Sequence, residues 1–202
     1  MNGLLALSRA IDWLNERVGR AVYWFVLLAV LISAGNAMIR KAFDMSSNAW
    51  LEIQWYLFSA VFLLCAGYTL LRNEHVRIDV IAGMLAKRKQ IWIDIIGLAF
   101  FLLPAAALVV VLSWPLFVKA LLMHEMSQNA GGLVRYPVYA LVPLGFALLT
   151  AQGVSELIKR VAFLQGRIED PTIRKQAKTA EEELAELIRA EAERKAAAVA
   201  GQ

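Results

Sequence analysis

Cysteine is nearly missing from this 202-residue chain: Cys65 stands alone, so no internal disulfide can form. Histidine occurs only twice, as His75 and His124. One thiol and two distant imidazoles cannot build a zinc site unaided. Neither histidine lies inside a long apolar run, which argues against a haem held between spans. There is no phosphate-binding glycine loop, no nucleophile elbow and no pair of carboxylates at one depth. Charge is also scarce, at 19% Asp, Glu, Lys and Arg, below the roughly 25% of a soluble domain. A self-contained enzyme is therefore not expected, and neither a cofactor nor a metal.

Apolar residues make up the difference. They are 59% of the chain, and the mean hydropathy is +0.55. A helix of about 20 apolar residues crosses a hydrocarbon core of about 30 Å. Such a segment must satisfy its backbone hydrogen bonds internally, so these runs read as helices. Four spans are expected, near Val22–Ile39, Trp50–Leu71, Ile91–Val118 and Tyr136–Ile158. The third holds Pro104 and Pro115, which predict a bend or break. In the fourth, Pro137 is near the start and Pro143 lies deeper. Only Arg40, Lys41, Lys119 and Arg135 fall in the first and third loops, and the other basic residues fall at the opposite face. By the positive-inside rule both termini are cytoplasmic. The net charge of +4 restates this bias and does not suggest nucleic-acid binding. No cleavable signal peptide is expected, because the first run lacks a basic lead-in and meets Asp12 and Glu16 too early.

The expected organisation is an amphipathic arm at 1–20, a four-helix membrane domain at 21–165 and a cytoplasmic tail at 166–202. In the arm, Leu4, Leu7, Ile11, Leu14 and Val18 form a narrow apolar stripe, suited to the membrane interface, a partner helix or a simple lead-in. Asn129-Ala130-Gly131-Gly132 reads as a flexible outer loop. After Gly166 the composition becomes Glu- and Ala-rich. Thr179 with Glu182 resembles a capping box that opens a helix at about 180–199, whose only apolar edge is Leu184, Leu187 and Ile188.

Two constellations stand out. Arg72-Asn73-Glu74-His75-Val76-Arg77-Ile78-Asp79 packs charge and a histidine between two uncharged runs. On a helix Glu74 would meet Arg77, and His75 would meet Asp79. The segment is either a structured junction or an ordinary positive-inside anchor solvated among headgroups. Glu52, followed by Gln54, Trp55 and Tyr56, lies just inside an apolar span. It reads as a partner-facing carboxylate or as a headgroup-level residue beside an aromatic belt. Asp94 suits a helix beginning, and Cys65 suits apolar packing. No span has a central ionisable residue, and small residues such as Ala29, Ser33, Gly35, Ala106 and Gly145 offer close-packing surfaces. The chain reads as a membrane subunit rather than a complete machine. An anchor for a redox enzyme, a small channel and an assembly factor are the other readings.

Three stretches carry a family resemblance: Asn48-Ala49-Trp50-Leu51-Glu52-Ile53-Gln54-Trp55-Tyr56-Leu57-Phe58, Glu74-His75-Val76-Arg77-Ile78-Asp79-Val80, and Arg135-Tyr136-Pro137 leading to Pro143-Leu144-Gly145-Phe146. In order and spacing the chain resembles, over about 20–165, the small DctQ-like membrane subunit of tripartite ATP-independent periplasmic (TRAP) transporters. The resemblance implies a non-catalytic subunit in the bacterial inner membrane. Its partners would be a large membrane subunit that moves the substrate and a periplasmic binding protein that delivers it. Uptake would be sodium-coupled, usually of an organic acid, with ions and substrate bound by the large subunit. It also implies that Glu52, Gln54, Trp55, Tyr56, Arg72, Glu74, His75, Arg77 and Asp79 serve as interface or scaffold residues.

Overall fold

A computed structural model describes residues 2–45, 47–73 and 85–168. Glu74, His75, Arg77 and Asp79, and the tail with its expected helix, lie outside the described residues. The described residues form an all-α protein with four helices long and apolar enough to cross a membrane. Helix α1 is Asn2–Phe43, α2 is Asn48–Leu71, α3 is Lys87–Leu122 and α4 is Tyr136–Leu164.

The four expected runs are found, each inside a longer helix. The expected arm and first span form one uninterrupted helix of 42 residues, about 63 Å long at 1.5 Å per residue. Helix α3 continues through both of its prolines instead of breaking. It answers Pro104 with a widened π-helical turn, Gly97–Leu102, between the α-helical stretches Lys87–Ile96 and Leu103–Leu122. The proline gives no N–H to the preceding turn and its ring crowds the carbonyl there. A local i→i+5 turn absorbs the mismatch without ending the helix.

Every helix stops the same way. One or two residues past each end the backbone turns left-handed: Asp44 (φ 50°), Asn73 (φ 56°), His124 (φ 47°) and Gly166 (φ 69°). After α3, the Glu125 N–H reaches back to the Ala120 carbonyl at 3.0 Å. After α4, Arg167 reaches Ala162 at 3.0 Å. These bonds satisfy carbonyls that the helix leaves open.

Helix α4 is the hub, packing against α1, α2 and α3, while α1 also packs along α2. Glycines set the closest approaches. A Cβ on Gly145 of α4 would lie 2.6 Å from the Leu63 carbonyl oxygen of α2, and one on Gly153 would lie 2.9 Å from Leu102 and Leu103 of α3. In a bilayer, apolar side chains gain little by leaving lipid, so close backbone packing carries much of the association. The outward faces stay open: Phe62 is 73% exposed and Phe101 72%.

Candidate functional site: polar clusters at the two ends of the bundle

The cluster at the α3–α4 loop end of the bundle, called outer after the expected orientation and the opposite one inner, is built around Glu52, one turn into α2, which is only 1% exposed. Its carboxylate accepts hydrogen bonds from the loop that joins α3 to α4. The Leu133 N–H donates to Oε2 at 2.6 Å, Asn129 Nδ2 donates to Oε1 at 2.9 Å, and the Ser127 hydroxyl donates to Oε1 as well. The loop is a small hairpin. Met126 and Val134 form an antiparallel bridge, Ser127 N–H bonds the Leu133 carbonyl at 2.8 Å, and Arg135 N–H bonds Glu125 at 2.9 Å. Gly132 lets it close on the carboxylate, because a Cβ there would sit 2.9 Å from Glu52 Oε1 and 2.5 Å from Ser127 Cβ. Tyr56, one helical turn below, donates to the Val134 carbonyl at 3.0 Å, and Asn48 donates to Ala130 at 3.0 Å. Trp55 packs edge-on against Tyr56 with ring centroids 4.4 Å apart and keeps an exposed face. Gln54 is half-buried on the same helix. Glu52 is thus enclosed by its own chain, and the stretch at 129–132 belongs to a tied hairpin rather than a loose loop.

The inner cluster joins α1 to α4 and α4 to α3. On α1, Ser8, Asp12, Asn15, Gly19 and Val22 recur at steps of three and four and face the bundle, with all but half-buried Asp12 fully buried. The apolar stripe of the arm lies one residue round the helix from it, about 100° away, with Leu4, Leu7 and Leu14 exposed and Ile11 and Val18 half-buried. On α4, Gln152, Ser155, Glu156 and Lys159 answer the polar stripe. Ser8 and Ser155 hydroxyls meet at 2.7 Å, and Ser155 donates to Asp12 Oδ1 at 2.7 Å. Asn15 Nδ2 donates to Gln152 Oε1 at 2.9 Å, while Gln152 Nε2 donates to Asp12 at 2.8 Å and Glu156 at 3.2 Å. Lys159 pairs with Asp12 at 3.1 Å and also with Glu156. One residue further, Arg160 reaches the Asp94 carboxylate of α3 at 3.1 Å and pairs with Glu156 on its own helix. Asp94 is therefore not a helix-start anion, since α3 begins at Lys87, but the α3 end of a helix-to-helix ion pair.

Arg72 closes α2 at this inner end. Its guanidinium lies 5.3 Å over the Tyr68 ring and pairs with Glu16 of α1, which Arg20 also approaches at 3.7 Å. Partial burial works against the Arg72 charge, but Tyr68 and Glu16 offset this and hold the guanidinium above its ordinary range. Of the sequence-expected site residues, Glu52 and Tyr56 meet at the outer hairpin. Arg72 lies about 30 Å away at the other end of α2. The inner cluster was missed in the sequence, where Asp12, Gln152, Ser155, Glu156 and Arg160 drew no attention. The signal was available as two polar stripes at helical spacing, one on each helix.

These arrangements tie helices together. Among the described residues, no three His, Cys, Asp or Glu side chains converge as a metal ion would require. An apolar cleft between α2 and α4, lined by Ile53, Tyr56, Leu57, Pro137, Val138 and Leu141, has one polar group near it, the Tyr56 hydroxyl, already bonded to Val134.

No curated protein and no solved structure matches the chain. The family described as tripartite ATP-independent periplasmic transporters, DctQ component, matches residues 29–163, which include α2, α3 and nearly all of α4, and the chain belongs to that family.

Proposed function

We propose that the chain is the non-catalytic small transmembrane subunit of a TRAP transporter, holding the large permease subunit in place. The transporter would take up organic acids or related solutes by sodium-coupled, binding-protein-dependent transport. Both termini face the cytoplasm and the protein sits in the bacterial inner membrane. The large membrane subunit and the periplasmic substrate-binding protein are its partners.

One observation carries this reading above the family membership. The ionic groups of the two clusters are spent inside the chain, on Glu52 with the outer hairpin and on Asp12, Asp94, Glu156, Lys159 and Arg160 at the inner end. Between the two ends, residues 53–71, 95–118 and 136–155 carry no charge. Proton or ion relays use ionisable groups at membrane depth, and transporter binding sites lie near the midplane. A bundle pinned at both ends with an apolar middle suits a stationary support. In this role Glu52, Gln54, Trp55, Tyr56 and Arg72, with Glu74, His75, Arg77 and Asp79, keep the support in shape or against its partner.

The test is co-expression with a tagged large subunit from the same organism. The expected result is recovery of both chains in one complex in mild detergent, and loss of uptake when the small subunit is omitted. A small subunit that elutes alone beside an intact large subunit, with uptake unaffected by its omission, would overturn the proposal.

A further inference from the structure

Two arginines on different helices end at the same place. Along α1 the residues 21–39 are uncharged, and Arg20 is the charge that ends the run on its N-terminal side. Along α2 the residues 53–71 are uncharged, and Arg72 ends that run. Each run is about the length of a hydrocarbon core, so both guanidiniums stand at one membrane edge. Packing agrees with the spans, because Gly19, beside Arg20, lies against the Tyr68 ring that underlies Arg72.

Both guanidiniums reach for the same carboxylate, Glu16. One carboxylate answers one positive charge, so the cluster keeps a single net positive charge. Its donors are far from used up: a guanidinium has five N–H groups, and the side chains of Arg20 and Arg72 remain 60% and 43% exposed. On the hydrocarbon side, exposed Tyr23 and Trp24 follow on α1, with Tyr23 meeting Tyr68 edge-on at 6.3 Å, and exposed Leu27 and Leu31 lie beyond. A fork of guanidiniums above an aromatic shelf and an aliphatic face matches an amphiphilic anion. Its phosphate suits the planar donors, its glycerol region suits the interfacial aromatics and its acyl chains suit the leucines.

We propose that Arg20 and Arg72 form a binding site for the phosphate of an anionic phospholipid in the leaflet on the N-terminal side, with its chains lying along Tyr23, Trp24 and Leu27. The site depends on the positions of the spans and not on the transporter reading. Glu16 holds the two arginines together and is not itself a contact of the lipid.

The experiment titrates the full-length chain in detergent with phosphatidylglycerol or phosphatidylcholine and counts retained lipids by native mass spectrometry. One uncompensated cation beside an anionic headgroup is worth about a fivefold change in affinity, so phosphatidylglycerol should be preferred by about that factor. The double variant Arg20→Gln/Arg72→Gln should bring the two lipids to parity. Glu16→Gln should strengthen the preference, because it frees the second charge. Arg40→Gln/Lys41→Gln, at the opposite membrane edge, should leave it intact. Should the double variant lose its helicity, exposed Arg20→Gln alone serves, and it should at least halve the preference. An unchanged preference in folded Arg20→Gln/Arg72→Gln would overturn the proposal. So would displacement of the lipid by equimolar inorganic phosphate, which would assign the site to a soluble anion.

Discussion

Replacing Arg160 with methionine tests the inner cluster where it is most deeply buried. The methionine fills much of the same space with no charge. Arg160 is 2% exposed and bridges α4 to α3 through Asp94 while pairing with Glu156 on its own helix. Removing one partner of a buried ion pair costs about 3–5 kcal/mol, because the remaining charge keeps its desolvation penalty. Here Lys159 still reaches Glu156, and Asp94 has further polar interactions, which places the cost near the lower bound, about 3 kcal/mol. For a chain of this size that is about 6–12 °C in thermal midpoint, readable by circular dichroism of the purified protein in detergent. The discriminating variant is Asp94→Asn/Glu156→Gln/Arg160→Met, which removes Arg160 together with both of its carboxylates and leaves Lys159 paired with Asp12. Replacing a buried ionic group entirely is often neutral, so this triple variant should recover most of the lost midpoint. A single variant that melts within about 2 °C of wild type, or a triple variant less stable than the single, would refute the view that these charges are buried and mutually compensating.

Gly145→Ala places a methyl against the Leu63 backbone, and backbone cannot rotate aside. It should cost about 1–3 kcal/mol in the same melting experiment. His124→Gly relieves a left-handed residue at the end of α3, a gain of about 1–2 kcal/mol less about 0.5–1 kcal/mol for glycine's extra backbone entropy, so it should stabilise by about 1 kcal/mol or less. Glu52→Ala removes the shared acceptor of Ser127, Asn129 and Leu133. It should speed proteolytic cleavage within 125–135 several-fold, with Glu52→Gln intermediate because its amide keeps one accepting oxygen. Phe62→Ala with Phe101→Ala, on exposed outward faces, should leave the melting of the isolated chain unchanged while lowering recovery of the complex with the large subunit.

The four spans were readable because hydrocarbon imposes one simple demand, a long uncharged helix, and 53–71 or 95–118 meet it without ambiguity. Where the helices end was harder to read. Nothing in the composition of 1–20 says whether it bends away from the first span, and the answer comes from tertiary contacts: Ser8 on Ser155 and Asn15 on Gln152 hold it straight along α4. The prolines of α3 left a bend and a break both open for a related reason. Proline disfavours a helix locally, but in a membrane an exposed break costs more than a widened turn. Glu52 was noticed as a costly charge, yet its partners come from residues 127–133, far along the chain. The apolar stripe of the arm was legible, and Leu4, Leu7 and Leu14 stay exposed. What the spacing did not announce is that the neighbouring polar stripe, Ser8, Asp12 and Asn15, makes the contacts with α4.

The choice of the polar stripe for helix contacts follows from the solvent. In water a bundle assembles by turning its apolar stripe inward, because each buried methylene leaves water. In lipid the apolar stripe gains almost nothing from a protein neighbour that it does not already gain from acyl chains. What distinguishes a neighbouring helix from lipid is its ability to hydrogen-bond and to come close. This chain uses the first device at the two ends, where Glu52 grips the hairpin and Asp12 meets Gln152, Ser155 and Lys159. It uses the second in between, where Gly145 and Gly153 bring backbones together. Polar groups at the ends cost less than they would at the midplane, since charged side chains become cheaper toward the interface. The middle is left with large apolar faces turned outward, such as Phe62 and Phe101. Those faces suit lipid or another protein's helices equally well, and either can cover them without disturbing the internal ties.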